Sequence, residues 1–236
     1  MARQPSADAA IIGMYTQIWS LGQLLEGSIG SLTACGPWQL AQLALCAACV
    51  FFPQRPLFCA ALAARMLNLL TRVPCAWDAE YFSFLSDGAV LGVLLSRGVR
   101  PGTAGRVQST FQWQLGVFYL AAGAWKLNTA FLHPRFSCSS TYAIQLLDAY
   151  SPWKGEALVV AAARAAPALT IVGEMAIGAC VLVMPRIGVL LALALHAGIA
   201  LTPPPNNIAG FGVVCAVRLA MSIPHGAAAA WREACG

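Results

Sequence analysis

Apolar residues along this chain occur in long blocks, which short polar or proline-containing connections separate. A membrane-spanning helix requires about 20 apolar residues, and fewer where it packs among other helices. By this measure the pattern predicts six spans, a seventh span and an uncertain first helix. The six lie at 38–53, 56–71, 81–97, 107–128, 167–184 and 187–202, the seventh lies at 208–223, and the uncertain helix covers 11–25.

The first block differs from the others because polar side chains interrupt it. Its apolar residues recur at helical spacing, and Gln17, Gln23 and Glu26 interrupt this pattern. This pattern is typical of either an interfacial helix or a packed first span within residues 1–35. Residues 225–236 are interpreted as a short polar tail.

Composition supports the same interpretation. Hydrophobic residues make up 59% of the 236 positions and charged residues 10%, whereas soluble domains carry about 25% charged residues. The predicted fold class is therefore all-α, a polytopic transmembrane bundle of six to eight helices without a separate soluble domain. The predicted location is a membrane that the chain crosses several times, in an organelle that the sequence does not specify.

Charge and cysteine content narrow the classes of partner and ligand that we expect. The net charge of +5 comes from basic residues scattered singly between apolar blocks, so no basic run predicts binding to nucleic acid. The expected partners are the lipid bilayer and other membrane subunits. Cys46 and Cys49 form a CxxC spacing without polar or charged neighbours, which favours small buried hydrophobes over a metal site.

Lys126 is one of two lysines in the chain and lies near the end of an apolar run, next to Trp125. A cation within hydrocarbon costs roughly 2.5–3.5 kcal/mol at mid-span, so its presence calls for an explanation. One explanation is a base or ligand group in a pocket. The other is an anchor at the end of a helix, with the ammonium group extended toward water.

Counting residues from the connections predicts the depth of the other ionisable groups. Asp87, Glu174 and His196 each lie ten or eleven residues from a connection on the same side, which places all three about 15–16 Å below one surface. Glu174 and His196, on consecutive antiparallel helices, are expected to lie close together. Lys126 is expected roughly 10 Å nearer the other face, which argues against a direct salt bridge to Glu174.

These residues also have structural interpretations. Asp87 and Glu174 can be neutral acids that are hydrogen-bonded within a bundle. His196 can bridge two helices, bind a pigment or metal, or carry a proton. Arg218, near the end of its apolar block, is expected to extend its guanidinium group to the charged side.

Two stretches resemble the HTTM superfamily, the relatives of vitamin K-dependent γ-glutamyl carboxylase. The first is Tyr119–Cys138, which contains Trp125, Lys126 and Asn128, and the second runs from Glu174 through Pro185 and Arg186 to His196. The resemblance covers most of the chain and implies a single HTTM-like transmembrane domain over 1–236. It also implies that Lys126 descends from a base that helps to deprotonate a quinol.

The chain departs from the family pattern at 77–81. Carboxylases carry a functional histidine after a tryptophan at this place, but Trp77 is followed here by Asp78, Ala79 and Glu80. The carboxylases' large lumenal domain is also missing from these 236 residues. Propeptide-directed γ-carboxylation is therefore not expected.

Two functional hypotheses follow. In the favoured one, the protein is a noncatalytic or accessory subunit of a larger membrane complex, with a pocket for a lipid, quinone or pigment. In the alternative, it is a carboxylase-like enzyme that uses Lys126 as a base on a quinol-type ligand. The predicted catalytic residues are Lys126, Glu174 and His196, the predicted cofactor-binding residues are Asp87, Trp125, Asn128 and His196, and no metal ligand is predicted. Ion transport is a weaker third hypothesis.

Overall fold

The computed structural model describes residues 7–29, 36–71, 73, 78–153, 155–203 and 209–222. Within these ranges the regular structure is entirely helical, so the all-α part of the predicted fold is correct. The helices are α1 (Ala7–Ile29), α2 (Pro37–Phe51), α3 (Arg55–Leu70), α4 (Asp78–Arg97), α5 (Thr103–Trp125), α6 (Thr129–Leu132), α7 (Cys138–Tyr150), α8 (Glu156–Val183), α9 (Pro185–Ala200) and α10 (Ala209–Met221).

Local sequence explains where several helices begin. Helices α2, α3 and α9 each have a proline in the first turn, where its fixed φ suits the helix and its missing N–H costs nothing. Gly98 and Gly102 have φ values of 65° and 85°, which a residue with a side chain rarely adopts. The Asp8 carboxylate then accepts hydrogen bonds from the backbone N–H groups of Gly102 and Ala104 at the start of α5.

The predicted multi-pass membrane bundle is wrong. In the described part of the chain one helix, α8, is long and apolar enough to cross a membrane. The prediction required six to eight such helices. Helices α2 and α9 are apolar but have 15 and 16 residues. At 1.5 Å per residue such helices reach about 22–24 Å, less than the hydrocarbon thickness of about 30 Å. The predicted location as a multi-pass integral membrane protein is overturned by the same finding.

Helix boundaries also differ from the prediction at two places. Helix α7 occupies 138–150, a region that the apolar pattern left as a connection. Helix α8 begins at Glu156 and continues through Pro167, whereas the span was predicted to start at 167. The preceding Ala-rich turns have high helix propensity, which lets the helix extend on the N-terminal side of the proline.

The chain divides into two compact units: residues 1–112 with 213–236, and residues 113–212. In the first unit an aromatic cluster forms the core. Tyr15 makes edge-to-face contacts with Phe58 and Phe111 at centroid distances of 5.8 and 5.4 Å, and Trp19 contacts Phe58 at 5.4 Å. The single domain over 1–236 stays a prediction, and the expected tail at 225–236 lies outside the described residues.

In the second unit, glycines allow α5 and α8 to approach closely. A Cβ atom on Gly178 would lie 2.8 Å from the Leu120 backbone nitrogen and 2.9 Å from the Gly116 carbonyl oxygen. A Cβ on Gly123 would lie 2.6 Å from the Met175 side chain. These contacts fix how far along α8 each residue of α5 lies.

Candidate functional site

The first unit contains a buried cluster of charges around Asp87 of α4. Its carboxylate, which is fully buried, accepts hydrogen bonds from Arg65, from Arg218 Nη2 at 3.1 Å and from Trp19 Nε1 at 3.2 Å. Four helices, α1, α3, α4 and α10, therefore meet at one carboxylate. An unpaired charge in such a place would cost several kcal/mol, and the two guanidinium groups offset that cost.

The charges of Arg65 and Asp87 depend on each other. Burial acts to lower the pKa of Arg65, but the neighbouring carboxylates of Asp87 and Glu26 outweigh it and raise that pKa. Arg65 also donates through Nε to Gln23 Oε1 at 2.5 Å. Its guanidinium group is thus bonded to a carboxylate on one side and to an amide on the other.

A chain of amide side chains continues from Arg65 toward the surface of the same unit. Asn68 Nδ2 donates to Gln42 Oε1 at 2.9 Å, Gln42 Nε2 donates to Gln23 Oε1 at 3.1 Å, and Gln23 Nε2 donates to Glu26 Oε2 at 3.2 Å. These groups line a cavity of about 190 Å³ together with Gln39, Leu43, Leu69 and Glu80.

Sequence reasoning singled out Asp87 but missed most of its partners. The expectation that Arg218 extends to a charged surface is wrong, because its side chain is 0% exposed and bonds Asp87. Arg65 and Trp19 were also missed as partners of Asp87, and Gln23 was missed as a partner of Arg65. The available signal was the polar interruption of apolar helices by Gln23 and Arg65, which indicates buried polar groups that need partners.

In the second unit Lys126 and Glu174 form an ion pair. Lys126 Nζ donates to both carboxylate oxygens of Glu174, at 2.6 and 2.8 Å, and lies 5.8 Å from the centroid of the Phe131 ring. The two side chains are 26% and 14% exposed. Lys126 is therefore a partly buried charge that Glu174 neutralises.

This pair corrects the predicted separation of Lys126 from Glu174. The depth count measured each helix from its own connection and assumed that these connections lie at a common level. The close contact of Gly123 with Ile171 and Met175 instead sets the last turn of α5 beside the middle of α8. Lys126 follows that turn directly, so its long side chain reaches Glu174.

His196 of α9 bonds Tyr119 of α5 in the same unit. The Tyr119 hydroxyl lies 2.6 Å from His196 Nε2, and His196 is 4% exposed. Burial lowers the pKa of His196 to about 4, because an imidazolium loses hydration there. A neutral imidazole hydrogen-bonded to the Tyr119 hydroxyl is consistent with the interhelical bridge among the predicted alternatives.

The other predicted site residues have local contacts. Trp125 is 86% exposed. The Asn128 side chain accepts a hydrogen bond from the backbone N–H of Phe131 at 2.8 Å and so caps the N-terminus of α6. Their assignment to a cofactor stays a prediction, as do the catalytic assignments of Lys126, Glu174 and His196.

The CxxC cysteines lie in the core of the first unit. Cys46 and Cys49 are both buried free thiols, and burial raises the pKa of Cys46 to about 12. A thiolate, the form that binds metals, is disfavoured there. Among the described residues, no group of three or more His, Cys, Asp or Glu side chains has an arrangement that could hold a metal ion.

No model of a protein family, no curated protein and no solved structure matches this chain. The resemblance to the HTTM superfamily thus stays a prediction. The described residues define an all-helical protein with two charge sites: a buried arginine–aspartate cluster in one unit and a partly buried lysine–glutamate pair in the other.

Proposed function

We propose that this protein is a noncatalytic accessory subunit that binds an apolar helix of a partner protein along α8. The observation that carries the proposal is a line of exposed apolar side chains on α8, called here the α8 seam: Leu169, Val172, Ala176, Ala179 and Val183. Leu169, Val172 and Val183 are 68%, 64% and 78% exposed. Large exposed apolar surfaces are typical of interaction sites.

The spacing of the α8 seam favours a helix as the partner. Its residues are separated by three, four, three and four positions, the repeat that keeps one face of a helix against another over several turns. Two alanines in the middle allow close approach of a second backbone, as small residues do between packed helices.

Helix α9 repeats the same pattern. The exposed residues with the same three-four spacing are Ile187, Leu190, Ala194, Ala197 and the C-cap residue Leu201. Leu190 is 67% exposed. At 1.5 Å per residue the 16 residues of α9 reach about 24 Å, which is less than the hydrocarbon thickness. The exposed apolar line of α9 is therefore too short to cross a bilayer, which favours a protein partner for this helix.

The Lys126–Glu174 pair supports a noncatalytic role. An ammonium group that donates two hydrogen bonds to a carboxylate, as Lys126 does, has no lone pair with which to accept a proton. A base acting on a quinol would need the free amine. The pair is well suited to joining α5 to α8. A quinone, lipid or pigment as an additional ligand stays a prediction.

The test is the size of the native protein after gentle detergent extraction from its own cells. We expect it to run in an assembly heavier than two copies of the 24.8 kDa chain. A Val172→Glu substitution places a charge in the middle of the α8 seam and should release the chain as a monomer. Photo-crosslinking from position 172 should join it to an apolar helix of one partner.

The matched control is Ser109→Glu, which adds the same charge at an exposed position of α5 and should leave the assembly intact. Three results would overturn the proposal. These are a wild-type chain that runs alone, one that runs as a dimer of itself, or one that binds protein-free phospholipid vesicles in a manner abolished by Val172→Glu.

A further inference from the structure

We infer that one end of the first unit docks onto the surface of a bilayer that contains anionic phospholipid. Two turns form this end: the α2–α3 turn, whose residues 51–56 are all exposed, and the α4–α5 turn, residues 97–102. The side chains that carry the inference are called here the Phe–Arg surface: Phe51, Phe52, Arg55, Arg97 and Arg100. The inference is independent of the helix-binding proposal, which concerns the α8 seam in the other unit.

The two turns lie side by side. A Cβ atom on Gly98 would lie 3.0 Å from Arg55 Nη1 and 3.5 Å from Arg55 Cζ, so the Arg55 guanidinium group lies against the backbone of the α4–α5 turn. Arg97 precedes Gly98 directly, and Arg100 follows it by two residues. Neither 51–56 nor 97–102 contains Asp or Glu. The two segments therefore bring three positive charges and no negative charge to one place.

The guanidinium groups of the α4–α5 turn are placed to meet a phosphate group. Arg97 and Arg100 are exposed, and among the described residues no carboxylate forms an ion pair with either of them. They line a surface cavity of about 570 Å³ together with Ser96, Pro101 and Thr103. A guanidinium group can bind a phosphate through two parallel hydrogen bonds. The headgroup of an anionic phospholipid supplies such a phosphate.

Asp8 is a carboxylate beside the same turn. Its oxygens accept hydrogen bonds from the backbone N–H groups of Gly102 and Ala104 at 3.2 and 2.8 Å. It is thus held at the start of α5, where it offsets the positive end of the helix dipole. Three arginines less this one carboxylate leave two positive charges among these described residues, so the surface still attracts anions.

The aromatic half of the surface favours lipid over a soluble anion. Phe51 and Phe52 are 77% and 62% exposed at the α2–α3 turn. Exposed apolar rings beside arginines are typical of segments that lie at the boundary between headgroups and acyl chains. A soluble phosphate compound would account for the arginines and leave both rings in water. A bilayer surface contacts the rings and the guanidinium groups together.

The backbone of the α2–α3 turn is also suited to apolar surroundings. The Phe52 N–H donates to the Ala48 carbonyl oxygen at 2.8 Å, and the Gln54 N–H donates to the Phe52 carbonyl oxygen at 2.7 Å. Pro53 and Pro56 have no N–H to donate. These positions therefore present no backbone donor that would lose its water on entering the lipid.

The test is flotation of the full chain with lipid vesicles. The chain is synthesised cell-free without detergent, in the presence of vesicles of phosphatidylcholine alone or of phosphatidylcholine and phosphatidylglycerol in equal parts. We expect partitioning into the anionic vesicles to be at least about tenfold stronger, because each arginine near an anionic surface contributes about fivefold. Added salt should weaken this partitioning, since it screens the attraction between charges.

Two double variants test the two halves of the surface separately. Phe51→Ser with Phe52→Ser removes both rings and should weaken partitioning at least about tenfold, because their apolar area no longer leaves water. Arg97→Gln with Arg100→Gln removes two charges and should weaken partitioning into the anionic vesicles by a similar factor of about ten or more. The second variant should leave the weak partitioning into neutral vesicles unchanged.

The other unit supplies matched controls. Phe136→Ser removes a phenylalanine that is 75% exposed, and Arg164→Gln removes the charge of an exposed arginine on α8. Both variants should float as the wild type does. Resistance to limited proteolysis checks that each variant is folded.

Equal flotation with neutral and anionic vesicles, or unchanged flotation of either folded double variant, would overturn the inference. Flotation with neither kind of vesicle would overturn it too, and photo-crosslinking from position 52 to a protein in native cells would then mark a protein contact instead. Val172→Glu should float as the wild type does, and loss of its flotation would assign the lipid contact to the α8 seam and contradict the inference. A wild-type chain that runs alone after extraction would overturn only the helix-binding proposal.

Discussion

Asp87 and Arg218 lie 131 positions apart in the chain and form a fully buried ion pair, with Arg218 Nη2 3.1 Å from Asp87 Oδ1. Arg65 bonds the other carboxylate oxygen. The first unit thus brings segments from both ends of the chain onto one buried carboxylate. A shared partner of this kind makes the contributions of α3, α4 and α10 to stability depend on one another.

Removing the carboxylate charge should destabilise the protein strongly. In Asp87→Asn, Arg65 and Arg218 lose their common counter-charge within a buried site, a change that typically costs about 3–5 kcal/mol. We expect the free energy of unfolding, measured by urea denaturation, to fall by that amount. Glu174→Gln is the matched comparison, and it should cost less, because the Lys126 and Glu174 side chains keep 26% and 14% exposure whereas those of Asp87 and Arg218 keep none. Losses of equal size in the two variants would contradict the assigned difference in burial.

Adding a methyl group at Gly178 should loosen the contact between α5 and α8. The new Cβ would lie 2.8 Å from the Leu120 backbone nitrogen and 2.9 Å from the Gly116 carbonyl oxygen, and neither backbone atom can move aside cheaply. Overpacking of this kind costs about 1–3 kcal/mol. With two backbone atoms closer than 3.0 Å, we expect the upper part of this range, which exceeds the gain of roughly 1 kcal/mol in helix propensity. We expect Gly178→Ala to have a lower free energy of unfolding than the wild type.

Gly173→Ala supplies the control on the same helix. A Cβ at this position has no neighbour within 4 Å among the described residues, so only the propensity gain should appear. This variant should be more stable than the wild type by up to about 1 kcal/mol. If Gly178→Ala also stabilised the protein, the close approach of α5 and α8 would be disproved.

Acid should reduce stability through His196. Its pKa is lowered from 6.5 to about 4 in the folded protein by burial, so the unfolded chain takes up a proton first as the pH falls. The stability contributed by the neutral imidazole is complete above pH 6.5, declines between about 6.5 and 4, and is lost below 4. The shift corresponds to at most about 3 kcal/mol.

The measurement is the free energy of unfolding of the wild type and of His196→Gln at several pH values. Gln keeps an acceptor for the Tyr119 hydroxyl and does not titrate. The difference between the two proteins should depend on pH in the window from 6.5 to 4 and be constant above it. A constant difference throughout would mean that His196 has an ordinary pKa.

Hydropathy predicted the positions of most helices correctly, but it predicted their surroundings wrongly. The predicted blocks at 38–53 and 56–71 correspond to α2 and α3, because apolar runs bounded by proline specify helices locally. The membrane bundle predicted from the same blocks is wrong, since an apolar helix of 15 or 16 residues suits the interior of a protein as well as lipid. The length of a helix and the residues that pack around it decide between a protein interior and lipid. Amino-acid composition contains neither of these.

The sequence by itself determined that the chain is helical, where its main breaks fall, and that Asp87, Lys126, Glu174 and His196 are polar groups in apolar surroundings that require partners. Only the tertiary structure decided which partners they have: Arg65 and Arg218 for Asp87, Glu174 for Lys126 and Tyr119 for His196. The physical reason is that helical periodicity fixes the face on which a side chain lies. The level at which two helices meet depends instead on contacts such as Gly123 on Met175, which no count along one helix can supply.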